Sequence, residues 1–453
     1  MYNRFGVINM FTKIKLKNFR SFGEIEFDLS SKNGVPKNFA VIFGENGAGK
    51  SNLISSFVFL NEILSTMNIR DLYEELLSEQ AIYIDENMEN RRRQLLKAGL
   101  RDIQAIINDY KMVECNDPID IEYEFQIDGN DGKYNISLGE SEIIYEKLEY
   151  KLNKRRGVYF ECSQNCININ GAIIKDNAFL SDIKSSATRF WGKHSILAII
   201  IHELVDKSKS YGFDNISENF NNVLDNLSTI SCFLDIGMRR WERLYSDFDV
   251  FDSATSGNID ISKEKELDIS EKVFSSVFSS INSDIKRVYY DRTYNNNAIR
   301  YKLFVEKMVA GQYRQISFSK ESTGNHQLLQ TLCYMLSAAQ GNIVVLDEAD
   351  SGIHDYLFLK VLQGIVPLIK GQLIMTTHNT MLMEADFSRN STYILCEEEN
   401  GCKKIKSISD FDKRTFASNN IRNKYLNNGY GGLPNVTDID FKALIEELDI
   451  FNN

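Results

Sequence analysis

An α/β fold, with a largely parallel sheet split by inserted segments, is predicted by three stretches of this 453-residue sequence. The apolar run AVIF (40–43) leads directly into GENGAGKS (Gly44–Ser51), and NLISSFVFLNEIL after it has the composition of a helix. Much later, IVVLDEAD (Ile343–Asp350) shows a second buried strand that ends in carboxylates. Around it, NHQLLQTLCYMLSAAQ, YLFLKVLQGIVPLI and QLIMTTH alternate helix and strand, as expected of a parallel sheet covered on both faces.

Taken in order, FTKIKLKNF and EIEFDLS alternate apolar with polar residues and read as half-buried strands, whereas NFAVIFG reads as a fully buried one. Residues 65–118 are charged and helix-forming, stop at Pro118, and are too few for a long coiled-coil arm. From Ile119 to about Asp176 short alternating strands return (IEYEFQI, KYNISL, GVYFEC, CININ), punctuated by DGNDG and NG: an antiparallel meander. Residues 181–285 read as mainly helical, with a polar loop around Asp252 to Glu266, and YKLFVEKMV and QISFS as strands of the last core section. The expected organisation is a first core part at 1–64, a helical insertion at 65–118, a β-meander at 119–180, a helical lobe at 181–285, a second core part at 286–395 and a tail at 396–453. Four prolines and no Gly/Ser-rich linker suggest parts that pack together.

The formal net charge of −11 argues against a surface coated in Lys and Arg, the usual footprint of sequence-independent nucleic-acid binding. Local basic runs, at Lys13, Lys15, Lys17 and Arg20, at Arg91–Arg93, and at Lys151 with Lys154–Arg156, read as solvated faces. Seven scattered cysteines suit a reducing compartment, and Cys162 with Cys166 lacks the second pair that a zinc site needs. His194, His202 and His326 have no ligand-like spacing. The apolar run ILAIII (196–201) is far short of a membrane span and no charged-then-apolar leader opens the chain, so a soluble, cytoplasmic protein without membrane contact is expected.

A strand, a glycine-rich loop and a helix form the context in which successive backbone N–H groups converge on phosphates, aided by the positive helix end. Gly44, Asn46, Gly47, Ala48, Gly49, Lys50, Ser51 and Asn52 are therefore candidate ATP-binding residues. Lys50 is placed to neutralise β- and γ-phosphate oxygens, and the Ser51 hydroxyl to ligate Mg²⁺. In IVVLDEAD, Asp347 would hold the metal shell and Glu348 would orient or deprotonate the attacking water. Ser51 and Asp347 are 296 positions apart, and just before the second motif KESTGNHQLLQTL places Ser322 and Gly324 at the opening of a helix.

The order LKNFRSF, GENGAGKS, ESTGNHQLL, LDEADSGIH and TTHN resembles the ABC-type ATPases of the SMC, RecF and OLD branch. More narrowly it is similar to the stand-alone AAA_15/AAA_21 ATP-binding proteins of bacterial antiphage and abortive-infection loci, such as Septu, PARIS and RloA-like systems. The likeness extends through YEKLEY and NKYLNNGYGGLPNV. It implies an ABC-type P-loop ATPase core, ATP and Mg²⁺ as cofactors, and Lys50, Glu348 and His378 as catalytic residues, His378 contacting the γ-phosphate. Ser322, Gly324 and Asn325 would act in trans as the signature motif, Ser351–His354 would cross a dimer interface, and Asn18 and Arg20 would lie near the nucleotide. It further implies a homodimer or higher oligomer joined through composite ATP sites, and a separate effector encoded nearby. DNA is a possible but not required partner.

Two positions depart from that pattern. Glu321-Ser322-Thr323-Gly324-Asn325 stands where the usual signature is Leu-Ser-Gly-Gly-Gln, and the metal-sensing glutamine has no clear place, Gln126 reading better as a strand surface residue. OLD-type relatives carry a Toprim nuclease after the ATPase. About 70 residues follow TTHN here, too few for that domain, and Asp438-Ile439-Asp440 lacks strand context. The favoured reading is a nucleotide-gated sensor or scaffold of an antiphage system that controls a separate nuclease or toxin. The competing readings are a RecF-like DNA-repair ATPase that clamps duplex DNA and a scaffold that binds ATP without hydrolysing it.

Overall fold

The computed structural model describes residues 9–77, 101–206, 214–236, 239–398, 401–411, 420–433, 441 and 444–445. Arg91–Arg93, the middle of the expected helical insertion and Asp438–Asp440 lie outside these residues. The chain opens with β1 (Asn9–Phe19), β2 (Phe22–Asp28) and β3 (Phe39–Phe43), then α1 (Lys50–Leu77) and α2 (Ile103–Tyr110). Next come β4 (Ile119–Ile127), β5 (Asn130–Leu138), β6 (Ile143–Leu152), β7 (Arg155–Ser163) and β8 (Cys166–Ile169), followed by α3 (Asn177–Phe190), α4 (Ile196–Asp206) and α5 (Glu218–Ser228). The strands β9 (Ile230–Ile236), β10 (Arg239–Arg243) and β11 (Ser256–Asp260) precede α6 (Glu264–Ile281), β12 (Ile285–Asn295), β13 (Ala298–Val309) and β14 (Gln312–Ser317). Last come α7 (Thr323–Gln340), β15 (Ile343–Leu346), α8 (Asp355–Ile365), β16 (Gln372–Thr376), β17 (Thr392–Glu397) and β18 (Lys403–Ser407).

The core sheet has the order β10-β9-β15-β16-β3-β17-β18 and is parallel from β9 to β17, with antiparallel strands at both edges. Its central strands β3, β15 and β16 are buried on both faces, which explains their apolar runs. Ala40 and Ile42 of β3 join the core cluster that includes α1, whereas Phe39, Val41 and Phe43 join the cluster of α7 and α8. Each fully buried Val, Ile or Leu contributes roughly 1.5–3 kcal/mol.

A second, antiparallel sheet (β2-β1-β4-β5-β6-β7-β8) lies over α1. In β4 the residues Ile119, Ile121, Tyr123, Phe125 and Ile127 are buried and alternate with partly exposed polar ones. The Tyr123 hydroxyl donates to the Ser56 carbonyl (2.6 Å) and Phe11 packs edge-on against Phe57. Pressed between two sheets, α1 is buried on every side from Leu53 to Leu64. The buried Gln372 side chain bolts the sheets together by accepting from Phe11 N and donating to the carbonyls of Phe11 and Lys37 (each 2.9 Å).

The remaining strands form a third sheet, in which β12 lies on one side of β13, and β11 and β14 lie end to end on the other. Its inner face packs on α6 through Phe274, Phe278, Val288, Leu303 and Val305. No described helix is long and apolar enough to cross a membrane.

The mixed α/β architecture agrees with the sequence, and several local readings are corrected. The span 181–285, read as mainly helical, contains β9, β10 and β11, and β9 sits inside the core sheet beside β15. The polar stretch from Asp252 to Glu266, read as a loop, holds β11 and the start of α6. YKLFVEKMV and QISFS are strands, but of the separate antiparallel sheet. The helix in YLFLKVLQGIVPLI ends at Ile365, and Pro367 lies in a tight turn after it.

A buried carboxyl gives this framework a pH dependence. Glu146 is fully buried and accepts from the Tyr134 hydroxyl (3.0 Å), the Trp191 indole N–H (3.1 Å) and the Ile196 amide (2.7 Å) at the start of α4. Burial nevertheless pushes its pKa up to about 7. Because the folded value lies above the unfolded one, the contribution to stability is full below the ordinary carboxylate range and is lost as pH rises through about 7. In urea denaturation, the stability of the wild type relative to Glu146→Gln is expected to fall by roughly 2–3 kcal/mol between pH 5 and pH 8. A gap independent of pH would show instead that the three donors keep Glu146 ionised.

Candidate active site

β3 ends at Phe43 and α1 begins at Lys50, so Gly44–Gly49 make the whole link from a buried strand to a helix N-terminus. Gly47 and Gly49 turn the backbone with φ of 83° and 106°. At Gly49 a Cβ would also stand 3.0 Å from Ser21 Oγ and 3.1 Å from the Phe22 ring, so a side chain is excluded twice over. Gly44 and Ala48 are buried, Asn46 and Gly47 are exposed, and the Gly47 carbonyl accepts from Lys403 Nζ (2.9 Å). The first N–H groups of α1 have no intrahelical acceptor and lie at the positive end of its dipole, the arrangement that holds an anionic phosphate chain.

Lys50 is buried at the base of this loop, where Nζ donates to the carbonyls of Gly44 and Glu45 (each 3.0 Å). Burial lowers its pKa below the usual lysine value, and the nearby charges of Asp347, Glu348 and Glu45 oppose that. Asp347 follows the last residue of β15, and its amide donates to the Phe233 carbonyl of β9 (2.8 Å). Its buried carboxylate accepts from the Thr376 hydroxyl, and the nearby Ser51 hydroxyl at the start of α1 favours its charged form. Burial raises its pKa above the usual range, against the two hydroxyls and Lys50.

Glu348 adopts φ 44°, an uncommon left-handed conformation for a residue other than glycine, and its amide donates to Thr376 Oγ1 (2.8 Å). Its side chain is exposed beside the buried Asp347, so adjacent carboxylates have opposite surroundings. β16 ends at Thr376, which places His378 two residues beyond the strand that was expected to end in it. Partial burial and then the charge of Lys50 lower the His378 pKa, with Glu348, Asp350 and Asp347 opposing. The imidazole is therefore neutral at pH 7.

Ser322 caps α7, its Oγ accepting from the Asn325 amide (3.2 Å), and the Asn325 side chain donates to Glu321 (2.7 Å). Glu321 is buried and paired with Lys307 of β13 (3.2 Å). A Cβ on Gly324 would stand 2.7 Å from the Gly352 carbonyl, so the ESTGN turn needs glycine to lie against the loop after β15. In that loop the Ser351 amide donates to the Glu348 carbonyl (2.9 Å), and His354 caps α8 through Nδ1. Among the described residues no hydrogen bond joins the ESTGN turn to residues 44–52 of the same chain. Ser322 and Thr323 remain exposed.

The other sequence candidates separate clearly. Asn18 is buried and its side-chain amide donates to the Pro118 carbonyl (2.8 Å). Arg20 lies over the Tyr110 ring (4.5 Å) and reaches Asn52 Oδ1 (3.5 Å), and Asn52 donates to Ser21 Oγ (2.9 Å), so the β1–β2 turn touches α1 beside the loop. Gln126 donates to Asp131 on the outer face of the second sheet (3.0 Å), away from the site. Thr376, Thr377 and Lys403 were not anticipated. The only signal for the threonines was their place directly before His378 in the sequence.

A hard divalent cation takes oxygen donors and often only one or two protein carboxylates. The Ser51 hydroxyl and the Asp347 carboxylate are such a pair, and with the loop amides and Lys50 they fit Mg²⁺ and a nucleoside triphosphate. No group of three His, Cys, Asp or Glu side chains suited to a metal occurs among the described residues.

The AAA_21 family profile, described as AAA domain, putative AbiEii toxin, Type IV TA system, matches residues 39–384, from β3 past the ESTGN turn, Asp347 and His378. The chromosome partition protein Smc of Methanocaldococcus jannaschii is 40% identical over 58 residues, which are 13% of this chain and only 4% of that protein. A crystal structure of the SmcHead bound to the C-winged helix domain of ScpA aligns at 15% identity over 88% of this chain and 97% of that one, with a TM-score of 0.43. The SMC head domain from Thermotoga maritima aligns at 16% identity over 88% and 98%, with a TM-score of 0.37. Likenesses this distant do not transfer residues or partners.

Proposed function

Because the chain belongs to the AAA_21 family, we propose that it binds ATP with Mg²⁺ at Gly44–Asn52 and hydrolyses it in an oligomer. Each composite site would join the glycine-rich loop of one copy to the ESTGN turn of another. The observation that carries this reading is the convergence on one point of Lys50, held at the base of the loop by the Gly44 and Glu45 carbonyls, and of Asp347 and Glu348, both bonded to Thr376 where β15 and β16 end. The trans arrangement is supported by the exposure of Ser322 and by the absence, among the described residues, of any hydrogen bond from its turn to the loop of its own chain.

The residues divide the work by their surroundings. Lys50 exchanges its two carbonyl partners for phosphate oxygens, a charge-assisted and stronger pairing. Ser51 and Asp347 would hold Mg²⁺, which when bound neutralises charge that develops on the phosphoryl group. Thr376 holds the Asp347 carboxylate, to which it donates, and the backbone of Glu348, from whose amide it accepts. The exposed carboxylate of Glu348 takes the proton of the attacking water, and neutral His378 hydrogen-bonds the transferring group.

At a finer level, the protein acts as a nucleotide-gated sensor in an antiphage system and governs a separate effector. The family's description, a putative AbiEii toxin of a Type IV TA system, supports a place in a two-component locus of this kind. Phage plating on cells with the native locus, comparing wild type with Lys50→Ala and Glu348→Gln at matched protein levels, tests it. Protection by the wild type that both variants lose is expected. Equal plating on all three strains across a broad phage panel would remove the defence role and favour DNA repair.

A further inference from the structure

The third sheet leaves one face uncovered, and its chemistry differs from that of the other outer surfaces. Along β13 the odd-numbered Ile299, Tyr301, Leu303 and Val305 are buried, so Arg300, Lys302, Phe304 and Glu306 point outward. Register places Tyr289 of β12 opposite Phe304, and their rings stack with centroids 6.0 Å apart and 24° between planes. On its other side Phe304 faces only the small Ser317 of β14. Lys286 and Arg287 share the single carboxylate of Glu306 (2.8 and 2.6 Å), which leaves an excess of positive charge. Arg300 and Lys302 make no ion pair among the described residues, although Asp291 stands opposite Lys302 in register. Beside them, at the end of the sheet where β11, β12 and β13 run side by side, a cavity of about 440 Å³ is lined by Asn258, Asn295, Arg300 and Lys302 among others.

The outer face of the second sheet is a useful contrast. Its Lys13, Lys15, Lys133 and Lys147 are each paired with a glutamate, so that surface is locally neutral. Arg20 also lies beside a stacked pair, Phe19 with Tyr110, but that pair is buried, whereas on the third sheet the cations and the Tyr289–Phe304 pair face outward.

We propose that this face binds single-stranded nucleic acid. A base stacks on the side of Phe304 left open by Ser317, Arg300 and Lys302 take the adjoining phosphates, and the Asn258 and Asn295 amides hydrogen-bond base edges or sugars. From Met308 to Arg300 the platform runs roughly 27 Å at about 3.4 Å per residue, room for several nucleotides. A duplex keeps its base faces stacked and offers nothing to Phe304, so the aromatic pair selects for a single strand. The site is independent of the ATP reading, since none of its residues touches the glycine-rich loop.

Fluorescence anisotropy on the full chain without nucleotide tests it, with labelled dT and rU oligonucleotides and a matched duplex at about 50 and 200 mM salt. Salt-sensitive binding of either single strand, tighter than that of the duplex, is expected. Arg300→Ala with Lys302→Ala should weaken it roughly tenfold or more and flatten the salt slope by about 1.4, near 0.7 for each phosphate that is no longer neutralised. Phe304→Leu, which keeps an apolar side chain, should weaken it several-fold. Lys133→Ala with Lys147→Ala should bind as the wild type does. Absence of binding at low salt, unchanged affinity in the Arg300/Lys302 variant, preference for the duplex, or equal competition by polyglutamate would overturn the proposal.

Discussion

Glu348→Gln is expected to keep ATP binding while lowering turnover by about 10²–10⁴-fold, the range contributed by a positioned general base. The substitution keeps the shape and removes only the proton acceptor. The backbone of Glu348 is held by its amide bond to Thr376 Oγ1 and its carboxylate is exposed, so nothing in the fold depends on its charge. With hydrolysis blocked, the closed ATP-bound state has no exit, and size exclusion in the presence of ATP should show an oligomer that wild type forms only transiently. Turnover at the wild-type rate would remove Glu348 from the reaction.

Lys50→Ala is expected to weaken ATP binding by roughly 3 kcal/mol or more, over about 100-fold, because the charge-assisted bonds to phosphate vanish together. The fold should tolerate the change: Nζ is held only by the carbonyls of Gly44 and Glu45, which lie beside a loop open to water. A thermal melt of the variant without nucleotide, close to that of the wild type, separates lost binding from unfolding. Binding within a few-fold of the wild type by calorimetry would mean that the loop does not hold phosphate in the proposed way.

How legible each feature was in the sequence depends on whether its cause is local. The strands of the second sheet could be read because one face is buried and the other wet, and β4 alternates accordingly from Ile119 to Ile127. β9 could not, since Ile230 to Leu234 are buried without a break within the core sheet, and a short apolar run lacks the alternation that separates strand from helix. The glycine-rich loop announced itself because its glycines, lysine and serine lie together between a strand and a helix. Thr376 did not. A threonine at the end of an apolar run reads as an ordinary β-branched strand residue. Its role arises only because β16 pairs in parallel with β15, Met375 beside Leu346, which brings its hydroxyl to Asp347 and Glu348. The Lys307–Glu321 pair behind the ESTGN turn is likewise a product of tertiary structure, joining residues of β13 and the α7 approach that no local pattern links. His378 was placed by its neighbours in sequence, but the loop it occupies begins only where β16 ends.

The composite site is the central claim, and mixing two inactive variants tests it most directly. Lys50→Ala spoils the loop of its own copy, and Ser322→Arg fills the exposed turn that would face the partner's nucleotide. Each alone should be inactive. Mixed in equal amounts, half of the dimers carry one intact loop opposite one intact turn, and about a quarter of the wild-type ATP turnover should return. No recovery in a mixture shown to contain the mixed dimer, or full activity of Ser322→Arg by itself, would contradict a site shared between two copies.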